Sequence, residues 1–441
     1  MGGQNDDTYI FGPASAAEAD QVTENTNEGI DTLNFAALTT GVSLQLGSNA
    51  VQPVHANRTL KLNSPSTFEN AIGGSGADTL IGNGLNNTLT GNAGNDTLNG
   101  SAGNDILNGG QNDDTYIFGT ASVAEADQVT ENTNEGIDTL NFAALTTSVS
   151  LQLGSNAVQP VHTNRTLKLN SPSTFENAIG GSGADTLIGN GLNNTLTGNA
   201  GNDTLIGSAG NDILLGGQND DTYSFGTASA AEADELIELQ FEGTDLLNFS
   251  SLSDGVIVNL SLGGAVQSVH SGRTLKLNSG VTFENILGGS AKDLLIGNSL
   301  NNRFEGGNGS DILLGNDGND TLYGQDGRDI LIGGFGSDRI FGGSDDDIVI
   351  GGWRFEDMVM SSSNITEIRN ALSVWENINS SYQTRVNTLR QSTSALAVGT
   401  KVKADLNTDI DNLNGELGLD WFFAGATDLI TLNPGEIVEN I

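Results

Sequence analysis

The chain has 441 residues, among them 60 glycines and no cysteine, and its 55 acidic side chains against 16 Lys and Arg give a net charge of -39. This charge argues against nucleic acid and anionic membranes as partners, because binding a polyanion requires a basic surface. The lack of cysteine excludes disulfide bonds and Cys-based zinc or redox sites. Apolar residues form only 36% of the chain, against about 45% in ordinary globular proteins. We therefore expect a periodic fold rather than a conventional globular core.

The chain consists of long repeats up to residue 352. Residues 1–108 form a first unit and residues 109–215 a second, and the 107-residue segments 2–108 and 109–215 differ at only six positions. Residues 216–352 form a third, diverged unit, and residues 353–441 form a C-terminal region of different character. Because the chain starts inside a repeat, we expect it to be a fragment of a longer protein. It contains no apolar stretch of about 18 residues and no N-terminal pattern of a cleavable signal.

A shorter repeat of nine residues runs inside each unit. The array at residues 73–117 reads GGSGADTLI, GNGLNNTLT, GNAGNDTLN, GSAGNDILN and GGQNDDTYI. A second array of five nonapeptides spans residues 180–224, and a third array of seven spans residues 288–350. The sixth position of every nonapeptide in these arrays is Asp or Asn. The spacers before the three arrays are residues 11–72, 118–179 and 225–287.

The residue types of the nonapeptide predict a tight turn followed by a short strand. Glycine at positions 1, 2 and 4 permits positive φ and close backbone approach, so the turn carbonyls can point to one spot. Asp at position 6 adds an anionic oxygen, and hard oxygen ligands suit calcium better than zinc or copper. Positions 7 to 9 alternate as a strand with one inward side chain. Two nonapeptides then make one coil of an all-β parallel solenoid.

The pattern G-G-x-G-x-D-x-U-x resembles that of the RTX (repeats-in-toxin, haemolysin-type) calcium-binding proteins. The resemblance implies a right-handed parallel β-roll with Ca²⁺ between successive turns, together with a small C-terminal helical and β capping region. The implied carboxylate ligands are Asp7, Asp78, Asp96, Asp105, Asp114, Asp185, Asp203, Asp212, Asp221, Asp293, Asp311, Asp320, Asp329, Asp338 and Asp347. The implied backbone carbonyl ligands are those of Gly74, Gly76, Gly94, Gly103, Gly181, Gly183, Gly201, Gly210, Gly307, Gly309, Gly318, Gly327 and Gly336.

Some turns depart from this pattern. Asn87, Asn194 and Asn302 keep an oxygen at position 6 but lose its charge, and Lys292 lies beside Asp293, so we expect weak or empty sites there. If n stacked turns hold about n-2 ions, the three arrays hold roughly 11 Ca²⁺. A metal-free alternative remains open, in which Asx hydrogen bonds close the turns. Stacked carboxylates about 4.8 Å apart would then repel each other.

The spacers lack the nonapeptide but keep the alternation of β-strands, and we expect them to continue the solenoid in wider coils. A helical turn is predicted at residues 120–127. One histidine recurs in each unit within V-H-x-x-R-T-L-K-L-N, at His55, His162 and His270. We interpret these histidines as exposed strand positions rather than as a site, because none has a ligand partner nearby in the sequence.

The C-terminal region begins with a helical pattern. Apolar residues between Ile365 and Leu389 follow one another at spacings of three and four, after a capping box formed by Asn364 and Glu367. This pattern predicts one amphipathic helix or two helices that are broken near Ser380. We expect the apolar stripe to cover the open end of the solenoid, which would otherwise expose unpaired strand edges.

The end of the chain returns to the nonapeptide pattern. Residues 415–423 form a degenerate nonapeptide, and residues 406–414 precede it in register with Asp411 at position 6. The tail is similar to C-terminal regions of bacterial RTX proteins. This resemblance implies export by a type I secretion system through an uncleaved signal of roughly 60 residues, and an extracellular or cell-surface location. An acidic chain without cysteine can stay unfolded at low cytosolic calcium and fold in extracellular calcium.

Enzymatic motifs are missing from the sequence. It contains no HExxH, GxSxG or Walker A motif, and its three histidines all lie in spacers, so we expect no enzyme within these residues. We interpret the chain as a secreted calcium-binding β-roll that folds outside the cell and serves as a structural, surface or adhesive scaffold. The alternative is the C-terminal export and folding module of a larger RTX enzyme or toxin. The expected partners are calcium ions and the type I secretion machinery.

Overall fold

The computed structural model describes residues 4–25, 29–228, 230–240, 242–352, 362–390, 410–425 and 427–440. The chain divides into an N-terminal body, Met1–Gln218, and a C-terminal body, Asn219–Ile441. Both bodies consist mainly of short strands in parallel sheets. Among the described residues, no helix is long and apolar enough to cross a membrane.

The N-terminal body is built of strands of three to six residues. They are β1 (Thr8–Ile10), β2 (Glu18–Val22), β3 (Thr32–Asn34), β4 (Ser43–Gln45), β5 (Val51–His55), β6 (Arg58–Leu62), β7 (Asn70–Ile72), β8 (Thr79–Ile81), β9 (Thr88–Ala93), β10 (Thr97–Asn99), β11 (Ile106–Gln111), β12 (Thr115–Ile117), β13 (Glu125–Thr130), β14 (Thr139–Asn141), β15 (Ser150–Gln152), β16 (Val158–His162), β17 (Arg165–Leu169), β18 (Asn177–Ile179), β19 (Thr186–Ile188), β20 (Thr195–Ala200), β21 (Thr204–Ile206) and β22 (Ile213–Gln218).

The described residues of the C-terminal body form two helices in addition to strands. The strands are β23 (Thr222–Ser224), β24 (Glu232–Ile237), β25 (Leu246–Asn248), β26 (Ile257–Asn259), β27 (Val266–His270), β28 (Arg273–Leu277), β29 (Asn285–Leu287), β30 (Leu294–Ile296), β31 (Arg303–Asn308), β32 (Ile312–Asp317), β33 (Thr321–Asp326), β34 (Ile330–Phe335), β35 (Arg339–Ser344), β36 (Ile348–Ile350), β37 (Asn412–Glu416), β38 (Trp421–Ala424), β39 (Leu429–Thr431) and β40 (Ile437–Asn440). The helices are α1 (Ser362–Trp375) and α2 (Tyr382–Leu389).

Within an array, each strand pairs with the strand one full coil away. In the first array β8, β10 and β12 pair in parallel on one side, while β9 and β11 pair on the other. Thr79 lies opposite Thr97, so two nonapeptides make one coil, as predicted. The position-8 side chains Leu80, Leu98 and Tyr116 are fully buried, because they point inward between the two sheets. The parallel β-roll expected from the sequence is confirmed.

The spacer after the first array continues the coils with longer connections. β13 pairs in parallel with β11 and β17, and β14 pairs in parallel with β12 and β18. The hydrogen bond between Asp114 and Asp138 joins residues 24 apart, whereas the equivalent bond within the array joins residues 18 apart. β16 and β17 form an antiparallel hairpin, which the sequence analysis did not anticipate.

The helical turn predicted at residues 120–127 is wrong. Glu125 is the first residue of β13, and Glu125, Asp127 and Val129 are buried on one face of this strand. Both acidic side chains form ion pairs with Arg165 of the neighbouring strand β17. These contacts require the period-two alternation of an extended chain, so tertiary pairing overrides the local sequence preference.

One sheet of the C-terminal body is buried on both faces. Its strand order is β26-β30-β32-β34-β36-β38-β40. All three residues of Leu294–Ile296 and of Ile348–Ile350 are buried, whereas Thr79–Ile81 of the first array is buried only at its central residue. A sheet with apolar side chains on its outer face needs a covering layer.

The two helices provide this layer. Trp375 of α1 and Val386 of α2 are fully buried and belong to one apolar cluster with the outward-facing side chains of the sheet. The strand residues of this cluster are Leu294, Ile296, Ile312, Leu314, Ile330, Ile332, Ile348, Ile350, Trp421 and Phe423. The expectation that the helices cover the open end of the solenoid is therefore wrong. The continuous apolar triplets of the third array were the signal in the sequence for a covered sheet face.

The structure of the C-terminal region agrees in part with the prediction from the sequence. The break predicted near Ser380 is confirmed, because α1 ends before it and α2 begins after it, although α1 begins at Ser362, ahead of the predicted cap. The coil resumes at β37 and β38, where the backbone N–H groups of Asp338 and Asp347 donate to the carboxylates of Asp411 and Asp420. β39 and β40 add a further coil. Residues 391–409 of the predicted secretion signal lie outside the described residues.

Candidate metal-binding turns

The turns inside the arrays bend through residues with positive φ. In the third nonapeptide of the first array these are Asn92 (φ 81°) and Gly94 (φ 119°), at positions 2 and 4. Gly94 requires glycine, because a β-carbon there would overlap the backbone of Gly76 in the preceding coil. The bend brings the position-6 carboxylate of Asp96 beside Gly91, the first residue of its own turn.

The position-6 side chains form a hydrogen-bonded ladder along each edge of the roll. Oδ1 of Asp96 accepts a hydrogen bond from the backbone N–H of Asp78 at 2.7 Å, and Oδ1 of Asp114 accepts one from Asp96 at 2.7 Å. On the other edge, Oδ1 of Asp105 accepts a hydrogen bond from Asn87 at 2.8 Å. The same links join Asp293, Asp311, Asp329 and Asp347. In the first and third arrays, the structure thus brings the sequence-predicted aspartates together in stacks along the edges of the coils.

The second oxygen of these carboxylates lacks such a partner. Oδ2 of Asp96 is buried and has no hydrogen-bond donor among the described residues. The same holds for Oδ2 of Asp105, Asp114, Asp311, Asp320, Asp329 and Asp347. A buried acceptor without a donor costs free energy unless another group, such as a cation, takes the place of the donor.

Backbone carbonyl oxygens converge on the same points. A β-carbon added to Gly91 would overlap both Oδ2 of Asp96 and the carbonyl oxygen of Gly109 in the next coil. The carbonyls of Gly324 and Gly333 meet the carboxylates of the third array in the same way. These glycines are at position 1 of their nonapeptides, whereas the glycines that were predicted as ligands, at positions 2 and 4, form the bend. A carboxylate and a carbonyl that face one small space fit a hard cation such as Ca²⁺.

The opening turns of the arrays are satisfied by the chain itself. Oδ2 of Asp78 accepts a hydrogen bond from the backbone N–H of Gly74 at 2.6 Å. The side-chain amide of Asn87 donates to the carbonyl oxygen of Glu69 at 3.0 Å. Asn194 and Asn302 make the equivalent contacts with Glu176 and Glu284. In the three Asn turns the amide satisfies the carbonyl oxygen, and the side chain has no charge for a cation to neutralise.

Burial makes the charged form of the array carboxylates unfavourable. Burial raises the pKa of Asp96 to about 7, and the charge of Asp78 raises it as well. Burial raises the pKa of Asp114 to about 8. Burial and the charge of Asp329 raise the pKa of Asp311 to about 9. Without a cation these carboxylates bind protons near neutral pH. A divalent ion between them would favour the charged form again.

At the end of the first array, one edge of the roll carries its own cation. Oδ1 of Asp127, in the spacer, accepts a hydrogen bond from the backbone N–H of Asp105 at 3.0 Å. Oδ2 of Asp127 accepts one from the guanidinium of Arg165, which also donates to Glu125 at 2.7 Å. The side chains of this ion-paired group are at most 3% exposed. The guanidinium also lies over the ring of Phe118, 5.4 Å from its centroid.

The other edge carries three carboxylates at this level, and the backbone N–H of Asp138 extends the ladder by donating to Oε2 of Glu176 at 2.9 Å. Oδ1 of Asp138 accepts a hydrogen bond from the backbone N–H of Asp114 at 2.9 Å, and Glu131 lies beside them. One oxygen of each residue lies within 4.8 Å of the others. Burial is the largest cause that raises the pKa of Glu131 and the pKa of Asp114, both to about 8. The negative charges of neighbouring carboxylates raise both pKa values further. Equivalent groups consist of Asp7, Glu24 and Asp31, and of Asp221, Glu238 and Asp245.

The sequence analysis missed the spacer members of these groups. A signal for Asp138 was present, because Asp138-Thr139-Leu140-Asn141 repeats the Asp-Thr-Leu-Asn of residues 96–99. The residues between the array and Asp138 do not follow the period of nine, so the match is hidden. Glu131 has no such signal, since nothing in the nonapeptide corresponds to a glutamate at this place.

The histidines do not belong to the three acidic groups found among the described residues, although His55 and His162 lie near Asp78 and Asp185. Nε2 of His55 is 2.5 Å from the hydroxyl oxygen of Thr40, and His162 makes the equivalent contact with Thr147. His270 is 9% exposed, so the prediction of an exposed position is wrong for this residue. No histidine takes part in the acidic groups found among the described residues.

The fold and the turns define a parallel β-roll whose stacked edges present buried carboxylates. A family model of the RTX calcium-binding nonapeptide repeat matches the arrays, at residues 68–84, 72–106, 81–116, 175–191, 179–213, 188–223, 287–322, 296–331 and 323–353. The three arrays therefore consist of RTX calcium-binding nonapeptide repeats, and such repeats imply a Ca²⁺-binding β-roll. None of the curated proteins compared with the chain matches it.

Proposed function

We propose that this protein is a secreted scaffold that folds when it binds calcium outside the cell and then acts as a structural, surface or adhesive module. One observation carries this proposal. Buried Oδ2 atoms without a hydrogen-bond donor recur along the arrays, at Asp96, Asp105 and Asp114 and again in the third array. A chain that places many acceptors in its interior, with no donor for them, needs a cation to become stable.

The proposed ligands are the position-6 aspartates and carbonyl oxygens of the turns. In the first array, three of the five position-6 side chains carry such an oxygen, while Asp78 and Asn87 are satisfied by the chain. This pattern supports n-2 ions for an array of n turns, which gives roughly 11 Ca²⁺ for the three arrays. The cations would offset much of the net charge of -39.

Coupling to calcium would also explain export. In a compartment with little free calcium, repulsion between buried carboxylates disfavours the roll, so the chain stays unfolded and can pass through a type I secretion system. Outside the cell, calcium binds only the folded state and shifts the equilibrium towards it. The folded product has coils with acidic edges, and the acidic groups among the described residues contain no histidine, which favours a scaffold over a catalyst.

Circular dichroism of the full chain tests the proposal. In EDTA we expect the spectrum of a disordered chain, and added calcium should produce a cooperative β signal at about 0.1 to 1 mM, the range of extracellular calcium modules. Magnesium at the same concentrations is the matched control, because its small ion requires a stricter octahedral geometry. A chain that is fully folded in EDTA would overturn the proposal.

A further inference from the structure

The carboxylate group at the end of the first array joins the array to the spacer. Asp114 is position 6 of the last nonapeptide, Glu131 directly follows β13, and Asp138 directly precedes β14. Each of these residues is 1% exposed, and one oxygen of each lies within 4.8 Å of the others. An enclosed set of three acidic oxygens suits a hard divalent cation and does not suit zinc or copper.

Asp114 supplies the observation that points to a ligand. Its Oδ2 is buried and has no hydrogen-bond donor among the described residues. A β-carbon added to Gly109 would overlap this oxygen, Oε1 of Glu131 and the hydroxyl oxygen of Tyr116. Three oxygens from three separate places in the sequence therefore face one point, and two of them belong to carboxylates.

The arrangement differs from that of a turn inside the array. Beside Gly91, Oδ2 of Asp96 meets a neutral carbonyl oxygen, that of Gly109 in the next coil. Beside Gly109, the corresponding oxygen comes from the Glu131 carboxylate. The spacer thus replaces a neutral ligand of the array with a charged one.

The neighbouring residues hold the three carboxylates in place. The hydroxyl of Tyr116 donates to Oε1 of Glu131 and accepts a hydrogen bond from the backbone N–H of Gly109 at 2.6 Å. The backbone of Glu131 exchanges hydrogen bonds with the side chain of Asn170, at 3.1 and 2.6 Å. Asp138 is fixed through its hydrogen bond with Asp114. Such support keeps ligands in position before the ion arrives.

The same group occurs once in each repeat unit. Tyr9 and Tyr223 donate to Glu24 and Glu238 as Tyr116 does to Glu131. The diverged third unit keeps the tyrosine and all three acidic residues, although many of its other positions differ. The group is therefore a property of the junction and is independent of the exact spacer sequence.

We infer that each junction is a calcium site with its own ligand set, in which two spacer carboxylates and the last array aspartate hold one Ca²⁺. Calcium affinity rises with the number of charged ligands and with the rigidity of the site. The junction sites therefore bind calcium more tightly than the turns inside the arrays and fill first. This inference rests on the proposed calcium-dependent roll and adds to it the spacer ligands and the order of filling.

Equilibrium dialysis of radioactive calcium with the full chain tests the inference. The test variant combines Glu24→Gln, Glu131→Gln and Glu238→Gln, which removes one charge from each junction and keeps the shape of the side chain. The control variant combines Asp6→Asn, Asp113→Asn and Asp220→Asn, which removes the same charge from exposed neighbours. An asparagine there keeps the oxygen that accepts the backbone hydrogen bond, as Asp113 does from Ile137.

In the test variant, the three tightest ions per chain should bind about tenfold more weakly or be lost, because each site loses one of its three charged ligands. The control variant should keep them. The inference would be overturned if the test variant kept the three tightly bound calcium ions, or if the control variant lost as many of them as the test variant. If the unmodified chain bound no calcium at all, the proposed function would fail instead, which is a different result.

Circular dichroism at saturating calcium shows whether the test variant folds. If it does not fold, dialysis is repeated with the single variant Glu131→Gln, which leaves two junctions intact. This variant should lose one tightly bound ion per chain, and retention of all three would contradict the inference.

Discussion

The two edges of the roll end differently at the first spacer. On one edge, the ladder of carboxylates ends at Asp127, whose Oδ2 accepts a hydrogen bond from the buried guanidinium of Arg165. On the other edge, it runs through Asp114 and Asp138 to Glu176, and the strongest charges around Asp114 and the nearby Glu131 are acidic. Both ends bury carboxylates to a similar degree. The difference is that Arg165 supplies the positive charge on one edge, whereas a cation for the other edge has to come from the solvent.

From this comparison we infer that the proposed need for calcium is local. A buried carboxylate is costly wherever it lacks a counter-charge. The chain meets this cost in three ways: with an arginine at Asp127, with a neutral amide at Asn87, and with a space that fits a cation at Asp96 and Asp114. Only the last of these makes folding depend on the surroundings of the protein.

The largest effect is expected where two cation sites are removed at once. Asp311 and Asp329 are adjacent rungs on one edge of the third array. The double variant Asp311→Ala and Asp329→Ala should lose about 5 kcal/mol of calcium-dependent stability, because a site at a hundred times its dissociation constant contributes about 2.7 kcal/mol. Urea unfolding in saturating calcium measures this loss.

The control for this experiment is His270→Ala, which truncates a buried side chain of the same body outside the acidic groups. Its calcium-dependent stability should fall much less than that of the double aspartate variant. Equal shifts in the two proteins would show that the carboxylates of the third array do not hold calcium.

A second prediction concerns the edge that carries its own cation. Arg165→Met leaves Glu125 and Asp127 buried without a counter-charge and should destabilise the N-terminal body by about 3 to 5 kcal/mol. Urea unfolding at saturating calcium measures the change, and the exposed Lys168→Met is the matched control. If the loss of stability disappeared as the calcium concentration was raised, calcium would be able to replace the guanidinium. The distinction between the two edges would then be wrong.

The smallest effect is expected at the neutral turn. Asn87→Asp replaces an amide that donates to the carbonyl oxygen of Glu69 with a carboxylate that repels it. In EDTA this variant should lose about 1 to 3 kcal/mol, the cost of an unsatisfied buried group. In calcium it should recover the loss and bind one more ion.

Asn86→Asp is the control for this prediction, because it adds the same charge at the neighbouring exposed position. Equilibrium dialysis counts the ions of both variants. The same ion count in Asn87→Asp as in the unmodified chain would show that the amide does not decide whether this turn binds calcium.

The parts of the structure that depend on the short period could be predicted from the sequence. The strands, the coil of two nonapeptides and the stacking of Asp78, Asp96 and Asp114 follow from a repeat in which each coil contacts only its neighbours. The residues Glu131 and Asp138 could not be assigned in this way, because spacer connections vary in length and break the register. Their positions are fixed by the pairing of β13 with β11 and β17 and by the pairing of β14 with β12 and β18.

The position of the helices was missed for a related reason. The spacing of apolar residues in α1 and α2 predicts an amphipathic helix but does not say which surface it covers. The answer lies in another part of the sequence, where Leu294–Ile296 and Ile348–Ile350 are apolar at each position, while the corresponding strands of the first array begin with Thr. Only a comparison of the arrays shows that one sheet of the third array has an apolar outer face.

The central claim is that the stacked turns with an unsatisfied Oδ2 hold calcium and that the other turns do not. Native mass spectrometry of the calcium-loaded, folded chain tests this most directly, because it counts the bound ions. We predict roughly 12 Ca²⁺ per chain, from n-2 ions in each array and one ion at the junction that contains Asp7. A folded chain without bound calcium would contradict the account, and so would a count equal to the number of nonapeptides.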